Sequence, residues 1–168
     1  MLIVSSLDAA HKAFAAYEPA RVISLLSGDE TVPKFEGVAP ERHLSLYVER
    51  ESCGRTISAA ARERAGEIVD FIRKWNGDGD ILIHCNRGVS RSTAAAFIIM
   101  CMRAPKEKEA ALAETLRKAA PYADPCPLLV SYADELLGRD GRMTEAIEDL
   151  PPPSPAISAP LLTLPLAA

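Results

Sequence analysis

Apolar residues open the chain in short blocks whose length suits strands, with longer periodic stretches between them. Leu2-Ile3-Val4-Ser5-Ser6 predicts a first strand, and Arg21-Val22-Ile23-Ser24-Leu25-Leu26-Ser27 a second that is buried on both faces. His43 to Val48 reads as a third strand, and the run from Ile81, bounded by Asn76-Gly77-Asp78-Gly79-Asp80, as a fourth. Asp8 is placed to cap a helix running to Tyr17, which Pro19 stops. Residues 28 to 42, with Gly28, Pro33, Gly37 and Pro40, predict an irregular connection in which Asp29 and Glu30 are solvated. From Ser58, Ala61, Ala65, Ile68, Ile72 and Trp75 keep one face of a helix about 18 residues long.

The second half is helical. Ala94-Ala95-Ala96-Phe97-Ile98-Ile99-Met100 is apolar on every side, which predicts a helix buried in the core. Pro105 is expected to open another, with Leu112, Leu116 and Ala119 inward, until Pro121 to Pro127 breaks it. Leu128 to Leu137 predicts a last core helix closed by Gly138, with Arg139 and Arg142 in a solvated turn beyond. Residues 151 to 168 hold 6 of the 13 prolines and cannot be helical. They are expected to be a tail, mobile or laid over apolar surface, after a domain at 1–150. Strands alternating with helices predict an α/β fold with a mainly parallel sheet of four to five strands flanked by helices.

The chemistry concentrates between the fourth strand and the buried helix, in His84-Cys85-Asn86-Arg87-Gly88-Val89-Ser90-Arg91-Ser92. A strand that turns directly into a helix aims backbone N–H groups and the positive end of the helix dipole at one spot, which makes an anion site. The amides of Asn86, Arg87, Gly88, Val89, Ser90 and Arg91 would line it. Cys85 stands where those amides and Arg91 favour a thiolate nucleophile. The Arg91 guanidinium can grip two phosphate oxygens in parallel. Gly88 allows a positive φ, and Ser92 is placed to hydrogen-bond the sulfur and ease its departure. His84 alternates to the opposite face of the strand, near the loop backbone. Arg87 faces solvent or adds potential for a polyanion. His11 and His43 carry no evident chemistry, and Cys101 reads as core. The spacing of Cys85 and Arg91 is weak by itself; strand, glycine, serines and helix around it supply the discrimination.

Totals narrow the setting. A chain of 168 residues suits one domain, and a net charge of −4 argues against general nucleic-acid binding, which wants a basic face. Cys53, Cys85, Cys101 and Cys126 have no metal-ligand spacing, so no metal or other cofactor is expected. The N-terminus lacks the features of a signal peptide and no run suits a membrane span, so a cytoplasmic protein is expected.

The loop resembles the signature of the cysteine-dependent protein tyrosine phosphatase superfamily, and Gly88-Val89-Ser90-Arg91-Ser92 is closest to its dual-specificity branch and to small bacterial-type tyrosine phosphatases. The resemblance implies a three-layer α/β/α fold and metal-free hydrolysis of a phosphomonoester through a cysteinyl-phosphate. The substrate would be a phosphorylated protein or a small phosphate ester.

Two positions depart from the family. It uses an aspartate as general acid, on a loop that here is Glu49-Arg50-Glu51 and holds none. Glu51 is preferred for the role, with Glu49 the alternative and two solvated charges the bland reading. Relatives also often place an asparagine where Cys126 stands, so the loop is braced less here, or differently. These departures open a rival reading: a catalytically weak or inactive phosphate-binding pseudophosphatase. Sulfur transfer or arsenate reduction is a remoter option, and a Cys53–Cys85 disulfide a further one under oxidation.

Overall fold

A computed structural model of the chain describes residues 1–48 and 59–166. Five strands form one sheet in the order β3-β2-β4-β1-β5, where β1 is Leu2–Ser6, β2 Arg21–Leu26, β3 His43–Tyr47, β4 Ile81–Cys85 and β5 Leu162–Leu164. The first four are parallel, and β5 runs antiparallel against β1 with Leu2 opposite Leu164 and Val4 opposite Leu162. Helices cover both faces, giving the expected three-layer α/β/α arrangement: α1 Leu7–Tyr17, α2 Ala59–Arg73, α3 Arg91–Arg103, α4 Glu109–Ala119, α5 Pro127–Leu136 and α6 Arg142–Glu148.

Alternation along the strands sorts residues between two cores. Leu2, Val4, Ile23, Leu25, Ile81, Ile83 and Cys85 join the large core with α2 to α6. Ile3, Val22 and Leu82 point the other way and pack with Ala10 and Ala13 of α1 and with Phe35 from the 27–39 connection. Cys85 and His84 therefore lie on opposite faces of the sheet. The central helix α3 is buried from Arg91 through Cys101: the run from Ala94 is apolar on every side, and the polar Arg91, Ser92 and Thr93 are buried with it. Positive φ at Gly77 and Gly79 turns the chain from α2 into β4.

Several boundaries differ from the sequence expectation. Helix α1 begins at Leu7, so Ser6 holds the cap position and Asp8 lies in the first turn, where its charge complements the dipole. Pro105 lies in a turn closed by Glu107 N–H to the Ala104 carbonyl (3.0 Å), and α4 starts only at Glu109. Arg142 is exposed, as expected of a solvated turn, but Arg139 is mostly covered and both arginines are paired. Glu109, 6% exposed, accepts from Arg139 Nη1 at 2.9 Å and is paired with Arg142, and Arg139 also donates to the Cys101 carbonyl. This network anchors α6, which the sequence did not suggest. The buried carboxylate of Asp134 caps it, accepting from the N–H groups of Gly141, Met143 and Thr144 at 2.7, 2.6 and 3.1 Å. Among the described residues no helix is long and apolar enough to cross a membrane.

Candidate functional site

The loop between β4 and α3 is organised by its carbonyls. Four are held from outside: Asn86 O by Leu7 N–H (3.1 Å), Arg87 O by Ala159 N–H (2.8 Å), Val89 O by Asp124 N–H (3.0 Å) and Ser90 O by Cys126 N–H (3.4 Å). The Thr93 hydroxyl adds a bond to Val89 O or Ser90 O. In a trans peptide the C=O and the following N–H point in opposite directions. Carbonyls drawn outward thus turn the N–H groups of Arg87, Gly88, Ser90 and Arg91 inward, toward the mouth of β4. Cys126 contributes its backbone amide, so the loop is braced differently from the side-chain amide of the resembled family.

Cys85 is 3% exposed at the end of β4, and its Sγ receives the Gly88 N–H at 3.3 Å and lies 3.1 Å from Ser92 Oγ. Helix α3 begins at Arg91 and points its N-terminus at the same place. Gly88 adopts φ +74°. A Cβ there would come within 2.9 Å of the Ser5 carbonyl carbon and 3.0 Å of the Ala159 methyl, so both conformation and space demand glycine. Arg91, 6% exposed, donates from Nη1 to the Val48 carbonyl and to Ser27 Oγ, each at 3.0 Å. These bonds fix one edge of the guanidinium against the ends of β2 and β3.

Glu30 differs from the expectation of a solvated charge. Its carboxylate accepts from the Asn86 side-chain amide and from Ser27 N–H (2.6 Å), linking the 27–39 connection to the loop. Arg87 is exposed, as one of its two readings had it. Glu49, Glu51 and Cys53, the residues proposed for proton transfer and for a disulfide, lie outside the described residues.

On the far face of the sheet the three histidines gather around Phe35, with ring centroids 5.1, 5.4 and 6.0 Å away for His11, His43 and His84. Ser24 Oγ lies 2.7 Å from His84 Nε2 and 2.8 Å from His43 Nε2. A hydroxyl shared in this way donates to one ring and accepts from the other, which suits two neutral imidazoles. Complete burial, reinforced by His43 and His11 nearby, pushes the His84 pKa down to about 3. Between the ordinary value of 6.5 and about 3, the unfolded chain binds a proton that the folded chain excludes. Stability contributed by neutral His84 is therefore complete above pH 6.5 and declines as pH falls toward 3, with a slope approaching about 1.4 kcal/mol per pH unit. Denaturant titrations from pH 7 to 4 should show this fall, and His84→Gln should flatten it. Parallel curves for the two chains would refute the assignment.

No family model matches the chain, and no curated protein matches it in sequence. Solved structures do match in fold. Human DUSP28 is 21% identical over 88% of this chain and 93% of its own, with a TM-score of 0.56. The Yvh1 phosphatase domain from Chaetomium thermophilum is 21% identical over 84% and 93%, with a TM-score of 0.60. Human tyrosine phosphatase-like serine/threonine/tyrosine-interacting protein is 17% identical over 83% and 92%, with a TM-score of 0.58. The fold is that of the dual-specificity phosphatases.

Proposed function

We propose that the chain is a cysteine-dependent phosphatase that hydrolyses phosphomonoesters of a protein or a small molecule. The observation that carries this is the outward tethering of the carbonyls of residues 86, 87, 89 and 90, which turns four amides toward the end of β4, where Cys85 Sγ already receives one of them. A tetrahedral oxyanion docks on the amides of residues 86 to 91, and the free edge of Arg91 adds a second, charge-assisted grip. Cys85 Sγ attacks phosphorus in line. An S–P bond forms, the P–O bond to the leaving group breaks, and the leaving oxygen takes a proton from Glu51 or, alternatively, Glu49. Water then cleaves the S–P bond while the same carboxylate accepts its proton, and the sulfur departs toward the Ser92 hydroxyl. A nucleophile of this kind requires a compartment that keeps thiols reduced, such as the cytoplasm.

A second reading, a phosphate-binding module with little turnover, rests on the absence of aspartate from residues 49–58. Its fold also resembles a protein described only as phosphatase-like. An aryl phosphate series separates the two. The enzyme should hydrolyse esters with good leaving groups, and Glu51→Gln, or failing that Glu49→Gln, should slow poor leaving groups by about 10²-fold or more while sparing good ones. Phosphate or vanadate binding without turnover favours the module, and two silent glutamine variants overturn the assignment of the acid.

A further inference from the structure

Four anchors hold the loop carbonyls, and one of them comes from the C-terminal segment that the sequence set apart as a tail. Leu7 follows β1 directly, while Asp124 and Cys126 belong to the α4–α5 connection. The Arg87 carbonyl is held instead by Ala159 N–H at 2.8 Å, from the proline-rich C-terminal segment. The peptide unit in question joins Arg87 to Gly88, and its N–H is the one that reaches Cys85 Sγ at 3.3 Å. Gly88 is permissive at φ +74° and would let this unit rotate at little cost if its carbonyl were released.

Ala159 is itself fixed on both sides. Ser154 N–H donates to the Pro121 carbonyl (2.9 Å), and Tyr122 Oη donates to the Pro160 carbonyl (3.1 Å). Three residues after Ala159, β5 pairs with β1, burying Leu162 and Leu164 at 6% and 1% exposure. Proline at 151, 152, 153, 155 and 160 keeps the approach extended and limits the entropy lost when it is laid down.

We propose that residues 159–164 are a strap that positions the anion-binding loop, with Ala159 as the positioning residue: its amide fixes the Arg87–Gly88 peptide so that the Gly88 N–H faces the sulfur and the bound oxyanion. The strap acts on the site assigned above and rests on that assignment. Its chemistry is purely conformational. Without it one of the inward amides is free to turn away, and binding of a phosphate weakens even though every side chain of the site is intact.

The test uses the full chain, inorganic phosphate as competitor and an aryl phosphate as substrate. Ala159→Pro removes the donor and should raise the inhibition constant of phosphate and the KM about tenfold, whereas Ala159→Gly, which keeps the N–H, should stay within about twofold of the parent. A folded Ala159→Pro chain with unchanged constants overturns the strap, as does an equal loss in both variants. Should Ala159→Pro fail to fold, hydrogen exchange of the parent chain decides. Saturating phosphate should slow the Ala159 amide severalfold, because binding and the tether are linked, and an unchanged rate overturns the proposal. If the parent chain neither binds phosphate nor turns over substrate, the phosphatase assignment itself falls and the strap with it; parent activity with indifferent variants removes the strap alone.

Discussion

A Cys85→Ser chain turns over no aryl phosphate above background, a loss on the order of 10⁴-fold or more, and still binds inorganic phosphate. The two outcomes separate because the proposed nucleophile and the proposed anion cradle are distinct. A cysteine can supply its charge at neutral pH, but a serine hydroxyl needs a base to take its proton as it attacks. The nearest histidine in the chain cannot serve, since His84 faces the opposite side of the sheet and is engaged with Ser24 at 2.7 Å. Serine leaves the loop amides and Arg91 in place, so affinity for phosphate is kept. Steady-state release measures the first effect and competition or calorimetry the second. Mass spectrometry of the parent chain, quenched during turnover, should find one added phosphoryl group that the serine variant lacks. Residual turnover in Cys85→Ser beyond about a thousandth of the parent would mean that the sulfur does not carry the reaction.

The core of this site was legible because it is local. A buried strand, a polar loop with glycine and a helix apolar on all sides lie consecutively in residues 81–103, and period-two alternation alone placed His84 and Cys85 on opposite faces. What was not legible is what reaches the loop from elsewhere. Glu30 looked like a solvated charge because nothing in residues 28–42 signals that β2 ends beside Asn86. Helix α6 was hidden because its capping carboxylate, Asp134, lies seven residues upstream of Gly141 and reads as part of the preceding helix. Pro105 looked like a helix start, yet the chain first closes a turn, and the helix begins where Glu109 can meet Arg139 and Arg142. The backbone anchors of the loop have no side-chain signature at all: Ala159 acts through its amide, and composition cannot distinguish it from the alanines around it.

Arg91→Lys tests whether the cation is needed for its charge or its shape. The guanidinium is 6% exposed and spends Nη1 on the Val48 carbonyl and Ser27 Oγ, both at 3.0 Å. A planar fork can hold those oxygens with one edge and present the other to phosphate, so under the proposed function the group that ties β2 and β3 to the loop also grips the substrate. An ammonium gathers its donors at a single point and cannot span both places. It either keeps the protein contacts and abandons the oxyanion, or reaches the oxyanion and leaves the Val48 carbonyl without its donor. The first choice costs catalysis about 10²- to 10³-fold in kcat/KM, and the second costs stability about 1–3 kcal/mol. Kinetics and denaturant titration on the same preparation therefore reveal which contact the lysine keeps. Guanidinium ion added to Arg91→Ala should recover part of the lost rate, because it restores the fork without the tether, whereas ammonium should recover far less. A lysine variant within about threefold of the parent in kcat/KM and equally stable would show that charge alone suffices, and the paired grip would have to be abandoned.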